Sequence, residues 1–197
     1  MAKIQTFTTR ALLISAAIGV ASGLAAAVWA PMHLVFGPSG IVWLYGLALG
    51  FHVLPGVVAQ QVLRLPLVAL ITHFIAALVS IAFVPSSMTG FVTAAVVFGG
   101  VQELVSAATR YRHWETWRFL LSALITGVIL AAAMWFPFRV SNFEAWQQIV
   151  FVAAFIVGPI VWALIGVGIG GALRRAGVVR NFETATKPNA PATSEVD

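Results

Sequence analysis

Ionisable side chains are scarce in this sequence, so each one inside an apolar run demands a partner. Glu103 is the single carboxylate within such a run; it follows Gln102 and the Gly99-Gly100 pair. A carboxylate there is costly unless it is paired, protonated or facing a wet cavity. Two readings stand: a structural hydrogen bond to a neighbouring helix, and recognition of a cationic or amine-bearing ligand. Gly99, one turn away on the same face, would leave room for the ligand. His52 and His73 sit in two other apolar runs. His52 reads as a hydrogen-bonded packing residue. His73, with Thr72 and Ser80 on its own stretch, reads equally as a ligand contact. Trp43, Tyr45 and Trp135 fall toward the ends of their runs, where they can stack on a flat ring. The four histidines show no H-E-x-x-H or comparable spacing, and with no cysteine there is no thiolate metal site. A phosphate-binding G-x-x-x-x-G-K-[ST] loop is missing, which excludes ATP hydrolysis by the usual route. The lack of G-x-S-x-G and of paired intramembrane Asp argues against an intramembrane protease.

These residues need a scaffold, and the composition says what kind. Of 197 residues, 60% are hydrophobic and 9% are charged, with a mean hydropathy of +0.98. Soluble domains carry roughly 25% charged residues, so this chain cannot coat a water-soluble globule. Its solvent is the bilayer. A spanning helix takes about 20 apolar residues, and six windows qualify, at about 11–30, 41–62, 65–84, 91–109, 119–138 and 148–172. None alternates like a strand, so the predicted fold is all-α: an integral membrane protein of six transmembrane helices over 1–175.

Charge placement sets the expected orientation. Lys3, Arg10, Arg64, Arg110, Arg112, Arg118, Arg174, Arg175, Arg180 and Lys187 all fall on one side of a six-span path, and Arg139 on the other. That is the positive-inside pattern, with both termini cytoplasmic, and it accounts for the net charge of +5 without a nucleic-acid partner. The first window resembles a signal peptide in its basic start. Its apolar run is longer than a signal core, and Pro31 would follow the cut, so it reads as a retained span. The segment 176–197, rich in Thr, Pro, Ala and Ser toward its end, reads as a disordered cytoplasmic tail. Helix 1 carries two small-residue stripes. Ser15, Gly19, Gly23 and Ala27 form one, and Ala17, Ala21 and Ala25 the other. Such stripes let membrane helices approach closely, and two readings stand: both serve packing inside the six-helix bundle, or one packs internally while the other docks a second membrane subunit.

Several stretches resemble one family in order along the chain. Phe36-Gly37-Pro38-Ser39-Gly40 with Trp43 and Tyr45-Gly46, Arg64-Leu65-Pro66 with Ile75-Ala76-Ala77-Leu78, and Gly99, Glu103, Ala107, Thr109-Arg110-Tyr111 resemble YkoE-type proteins over about 10–175. These are the substrate-binding S components of energy-coupling-factor (ECF) vitamin transporters of the thiamine and hydroxymethylpyrimidine type. The resemblance implies a plasma-membrane capture subunit, not an enzyme, with no cofactor of its own. It also implies a T component and two ATPase subunits as partners, the latter using ATP. In that family an Ala-rich stripe on helix 1 meets the T component, which Ala17, Ala21 and Ala25 match. One departure stands out: His73 occupies a position where the family pattern has a glutamate.

The expected mechanism follows. Glu103 accepts hydrogen bonds from the ligand's amino or cationic group, His73 lines the site, Trp43, Tyr45 and Trp135 stack on it, and the loop 31–40 covers it. On this reading Glu103→Gln weakens capture about ten- to a hundredfold. Two other functions compete: an intramembrane enzyme using Glu103 and His73 as an acid–base pair, and a scaffold that binds no ligand.

Overall fold

The computed structural model describes residues 8–30 and 41–178. The expected cover loop 31–40 and the tail beyond 178 lie outside the described residues, as does Lys3. Among the described residues every regular element is helical. Helix α1 is Thr9–Trp29, started by the Thr8 hydroxyl, which accepts a hydrogen bond from Ala11 N–H at 3.2 Å. The second span, Val42–Leu63, is composite: α2 (Val42–Leu49), a 3-10 turn (Gly50–Val53) and α3 (Leu54–Leu63). Next comes α4 (Val68–Phe83), and then a second composite span, Pro85–Ala108. This one joins a 3-10 turn, α5 (Met88–Ala94), a π-helical turn (Ala95–Gly99) and α6 (Gly100–Ala108). It is followed by α7 (Thr116–Trp135) and α8 (Ala145–Arg175).

Five of these stretches are long and apolar enough to cross a membrane. The third expected span is shorter than its window: α4 has 16 residues, about 24 Å at 1.5 Å per residue. It is shortened at its start because Pro66 cannot donate and Leu67 takes a left-handed conformation (φ 62°). Outward faces are apolar, with Leu13 65% and Leu104 70% exposed. In water such a surface would aggregate; in lipid it is the expected exterior.

Small residues set the helix contacts. α1 packs along α4, and there a Cβ on Gly19 would lie 2.8 Å from Ile75 Cγ2, and one on Gly23 2.5 Å from Ala76 O. The Ser80 hydroxyl rivets this seam, 2.8 Å from Gly23 O and 2.9 Å from Ala76 O, sharing one proton between them. The second span crosses α8 the same way. A Cβ on Gly50 would sit 2.5 Å from Pro159 N and 2.7 Å from Gly158 O. So Ser15, Gly19 and Gly23 face inward, while Ala17 and Ala21 are exposed and Ala25 and Ala27 are half-buried.

The 3-10 turn has a local cause. Pro55 has no N–H to give to the Phe51 carbonyl, so Leu54 N–H reaches that carbonyl instead. The π turn at 95–99 lies across from it and carries Phe98 against both histidines.

Candidate ligand-binding site

Two polar regions occupy the bundle, and they differ in character. The first lies at the end where the arginines gather, and Glu103 is its centre. Its Oε1 accepts from Ala69 N–H (2.9 Å) and Gln60 Nε2 (3.2 Å). Its Oε2 accepts from Leu67 N–H (3.0 Å) and the Tyr111 hydroxyl (3.1 Å). Four donors fill the four lone-pair sites of a carboxylate. Leu67 is the cap residue of α4 and has no side-chain cap of its own, so a carboxylate from α6 closes the start of α4 in trans. Both backbone donors and the positive end of the helix dipole favour an anion here.

Around it, Gln60 and Ser106 join α3 to α6. Gln60 Nε2 lies 3.0 Å from Ser106 Oγ, and that hydroxyl donates to Gln102 O at 2.6 Å. Arg118, expected in a loop, is inside α7 and 1% exposed. Its Nη1 donates to Gln60 Oε1 (3.2 Å) and to Ser106 Oγ. Its guanidinium carbon lies 4.6 Å from the Trp114 ring centre and 4.2 Å from that of Phe119. Aromatic faces attract a desolvated cation, which is why the charge tolerates burial although its Nε and Nη2 have no hydrogen-bond partner among the described residues.

The second region is a small cavity of about 20 Å³ between α1, the second span, α4 and α5. His52, His73, Ser22, Ser80, Phe51 and Phe91 are among the side chains lining it. Phe98 stacks near both imidazoles, with ring centres 5.5 Å from His52 and 6.2 Å from His73. His73 is held by a specific chain. Gln102 Nε2 donates to Val53 O at 2.8 Å, so Gln102 Oε1 must accept from His73 Nε2, 3.2 Å away. In the neutral ring that leaves Nδ1 as the acceptor. Gly56 makes this bond possible, because a Cβ there would stand 2.8 Å from His73 Nε2 and overlap Gln102 Oε1.

The five side chains expected to meet the ligand therefore do not converge. Glu103 and His73 share no hydrogen bond and have different partners: Glu103 closes the start of α4, whereas His73 bonds Gln102 and lines the cavity, which Glu103 does not. The room expected beside Gly99 is filled: a Cβ there would be 3.1 Å from Leu70 Cα. Tyr45 packs on Phe138 and Phe155, and Trp135 meets Phe151 edge-on, in one aromatic cluster at the end away from the arginines. Trp43 lies at the start of α2 and is 39% exposed. Sequence reasoning missed Gln60, Gln102, Ser106 and Gly56. The signal was present, since Gln60 and Gln102 are amides inside apolar windows and need partners as much as a charge does.

No curated protein matches the chain. Its fold is that of a solved structure described as the crystal structure of an S-component of an ECF transporter. The TM-score is 0.78 at 19% identity, covering 91% of this chain and 94% of that one. The profile of a family described as the permease component of an ABC-type cobalt transport system matches residues 9–129. Transport permeases of this kind are multi-pass plasma-membrane subunits and not enzymes, in keeping with the long apolar helices. With more than half of its length matched, the chain belongs to this family of ABC-type transport permease components.

Proposed function

We propose that the chain is the substrate-capture subunit of an ECF-type importer for a small vitamin-like molecule, thiamine or its hydroxymethylpyrimidine precursor. The observation that carries this reading is the whole-chain likeness to an S-component, 91% of one chain on 94% of the other. The ligand enters through the cavity beside His73, from the end opposite the arginines, which is the outer side with both termini cytoplasmic. There the His73 Nδ1 lone pair accepts from a ligand N–H, and Phe51, Phe91 and Phe98 supply apolar ring faces. The cavity is smaller than such a ligand, so capture widens it. The two helical irregularities that bound it, at 50–53 and 95–99, are where the backbone yields most easily. Glu103 acts as a positioning residue for α4. Tyr45 and Trp135 pack in the separate aromatic cluster and Trp43 lies at the start of α2, so none of the three lines this cavity.

The partners on this reading are a T component, docked on the exposed Ala17 and Ala21 with Ala25 at the rim, and two ATPase subunits that use ATP. A second reading, a divalent cobalt ion as substrate, draws on the family description and on the paired His52 and His73 imidazoles. Against it, no three His, Cys, Asp or Glu side chains gather as a metal group among the described residues. Calorimetric titration of the purified chain with thiamine, hydroxymethylpyrimidine and Co²⁺ separates the two. Saturable heat from an organic ligand, weakened in His73→Ala, supports the proposal; heat from Co²⁺ alone overturns it.

A further inference from the structure

At the arginine-bearing end, three helix ends meet. Arg174, in the last turn of α8, donates from Nη1 to Val62 O at 3.3 Å, which brings its guanidinium over the C-terminus of α3. Arg64 stands two residues beyond that carbonyl, exposed and in a left-handed conformation (φ 53°). Arg10 Nη2 donates to Val178 O at 3.1 Å, drawing the start of α1 to the segment that follows α8. Partial burial and the neighbouring Arg174 charge hold Arg64 below the ordinary arginine range. Gathering cations in this way is unfavourable unless an anion offsets them.

The described carboxylates do not. Glu103 is filled by its four donors, Glu115 lies against His113 and Trp117, and Glu144 caps α8 at the other end of the bundle. The Arg64 guanidinium makes no hydrogen bond or ion pair among the described residues, its backbone N–H alone donating to Gln60 O at 3.0 Å, and Arg174 uses one side-chain N–H on Val62 O. Beside the cluster the surface is apolar: Leu13 of α1 is 65% exposed and Leu67 52%. An anion with hydrocarbon chains fits such a surface, because its phosphate meets the guanidinia while its chains lie along α1 and the start of α4.

We infer that Arg64 and Arg174, with Arg10 at the rim, form a binding site for the phosphate of an anionic phospholipid headgroup. The site is independent of the transported ligand and rests on none of its contacts.

The test uses the full chain in a neutral detergent, titrated at low salt with dioctanoyl phosphatidylglycerol, dioctanoyl phosphatidylcholine and inorganic phosphate. Bound adducts are read by native mass spectrometry and thermal stability in parallel. Arg64→Gln removes a charge that holds no structural partner, and Arg139→Gln at the opposite end is the control. An arginine at an anionic surface contributes about fivefold in affinity. Phosphatidylglycerol should therefore bind in preference to phosphatidylcholine, about fivefold more weakly in Arg64→Gln and unchanged in Arg139→Gln. Equal binding of the two lipids, or an unchanged Arg64→Gln, overturns the site. Inorganic phosphate that competes as well as phosphatidylglycerol reassigns it to free anions and overturns the lipid assignment.

Discussion

Replacing Glu103 by Gln keeps the shape and separates the two roles this carboxylate has been given. In the structure each oxygen takes one backbone N–H, Ala69 on Oε1 and Leu67 on Oε2. An amide has one carbonyl oxygen, so whichever way it is turned, one of those N–H groups faces another donor. Tyr111 can rotate its hydroxyl and accept, but a backbone N–H cannot. Gln60 cannot turn its own amide without breaking the Arg118 bond to Gln60 Oε1. A stranded, partly buried donor costs about 1–3 kcal/mol. Losing the negative charge at the start of α4 adds about 1 kcal/mol more. The expected destabilisation is about 2–4 kcal/mol, with ligand affinity within about threefold of the parent because Glu103 is not among the residues that line the cavity. Equilibrium unfolding in mixed micelles and calorimetric titration on the same preparation measure both. An unchanged unfolding midpoint with affinity down ten- to a hundredfold would refute the capping role and return Glu103 to the ligand.

Other consequences follow from the same geometry. Tyr111 is raised from the ordinary 10 to about 12 by burial and by the Glu103 carboxylate it bonds to. Its contribution to stability is thus complete below pH 10 and lost as pH rises through 12; phenolate absorbance in Tyr45→Phe should show one late titration, moved down by Glu103→Gln. Gly19→Trp should unfold the bundle, since its Cβ meets Ile75 and Thr72 O within 3.0 Å. Ala21→Trp should leave stability and ligand affinity intact while abolishing copurification with a T component; normal assembly and transport would remove the alanines from the interface. Gly50→Val should lower the unfolding midpoint sharply, because the atoms its Cβ meets on α8 are backbone and cannot turn aside; a midpoint like the parent's would show that the crossing is looser than described.

How much of this was legible in the residues varies by kind of force. Five of the expected spans were, because a long apolar run has no other solution in lipid, and their observed ends fall within about six residues of the hydropathy windows, whereas the helix of the third window is shorter than a full span. That helix 1 would pack closely was legible in its two small-residue stripes, but which one faces inward was not, because Ala17, Ala21 and Ala25 permit close approach as well as Ser15, Gly19 and Gly23 do. The 3-10 turn at 50–53 had a local sign in Pro55, whereas the π turn at 95–99 has none in its own residues Ala-Val-Val-Phe-Gly. Glu103 was readable as a costly group needing partners. Which partners it found was not, because Leu67 and Ala69 become donors only once α4 starts beside it. Arg118 read as a loop charge for the same reason: its burial depends on Gln60 and Ser106, which the fold brings from α3 and α6, while the two rings beside it, Trp114 and Phe119, are its own neighbours in sequence.

The central claim is that this chain alone captures a small organic molecule in the cavity beside His73. Native mass spectrometry of the full chain, gently extracted from the membranes of cells that make it, tests that most directly. The account predicts a one-to-one adduct whose mass and fragments are those of thiamine or hydroxymethylpyrimidine, lost in His73→Ala while Glu103→Gln retains it. A bound cobalt ion in place of the organic adduct, or an adduct that survives His73→Ala and disappears with Glu103→Gln, would contradict it.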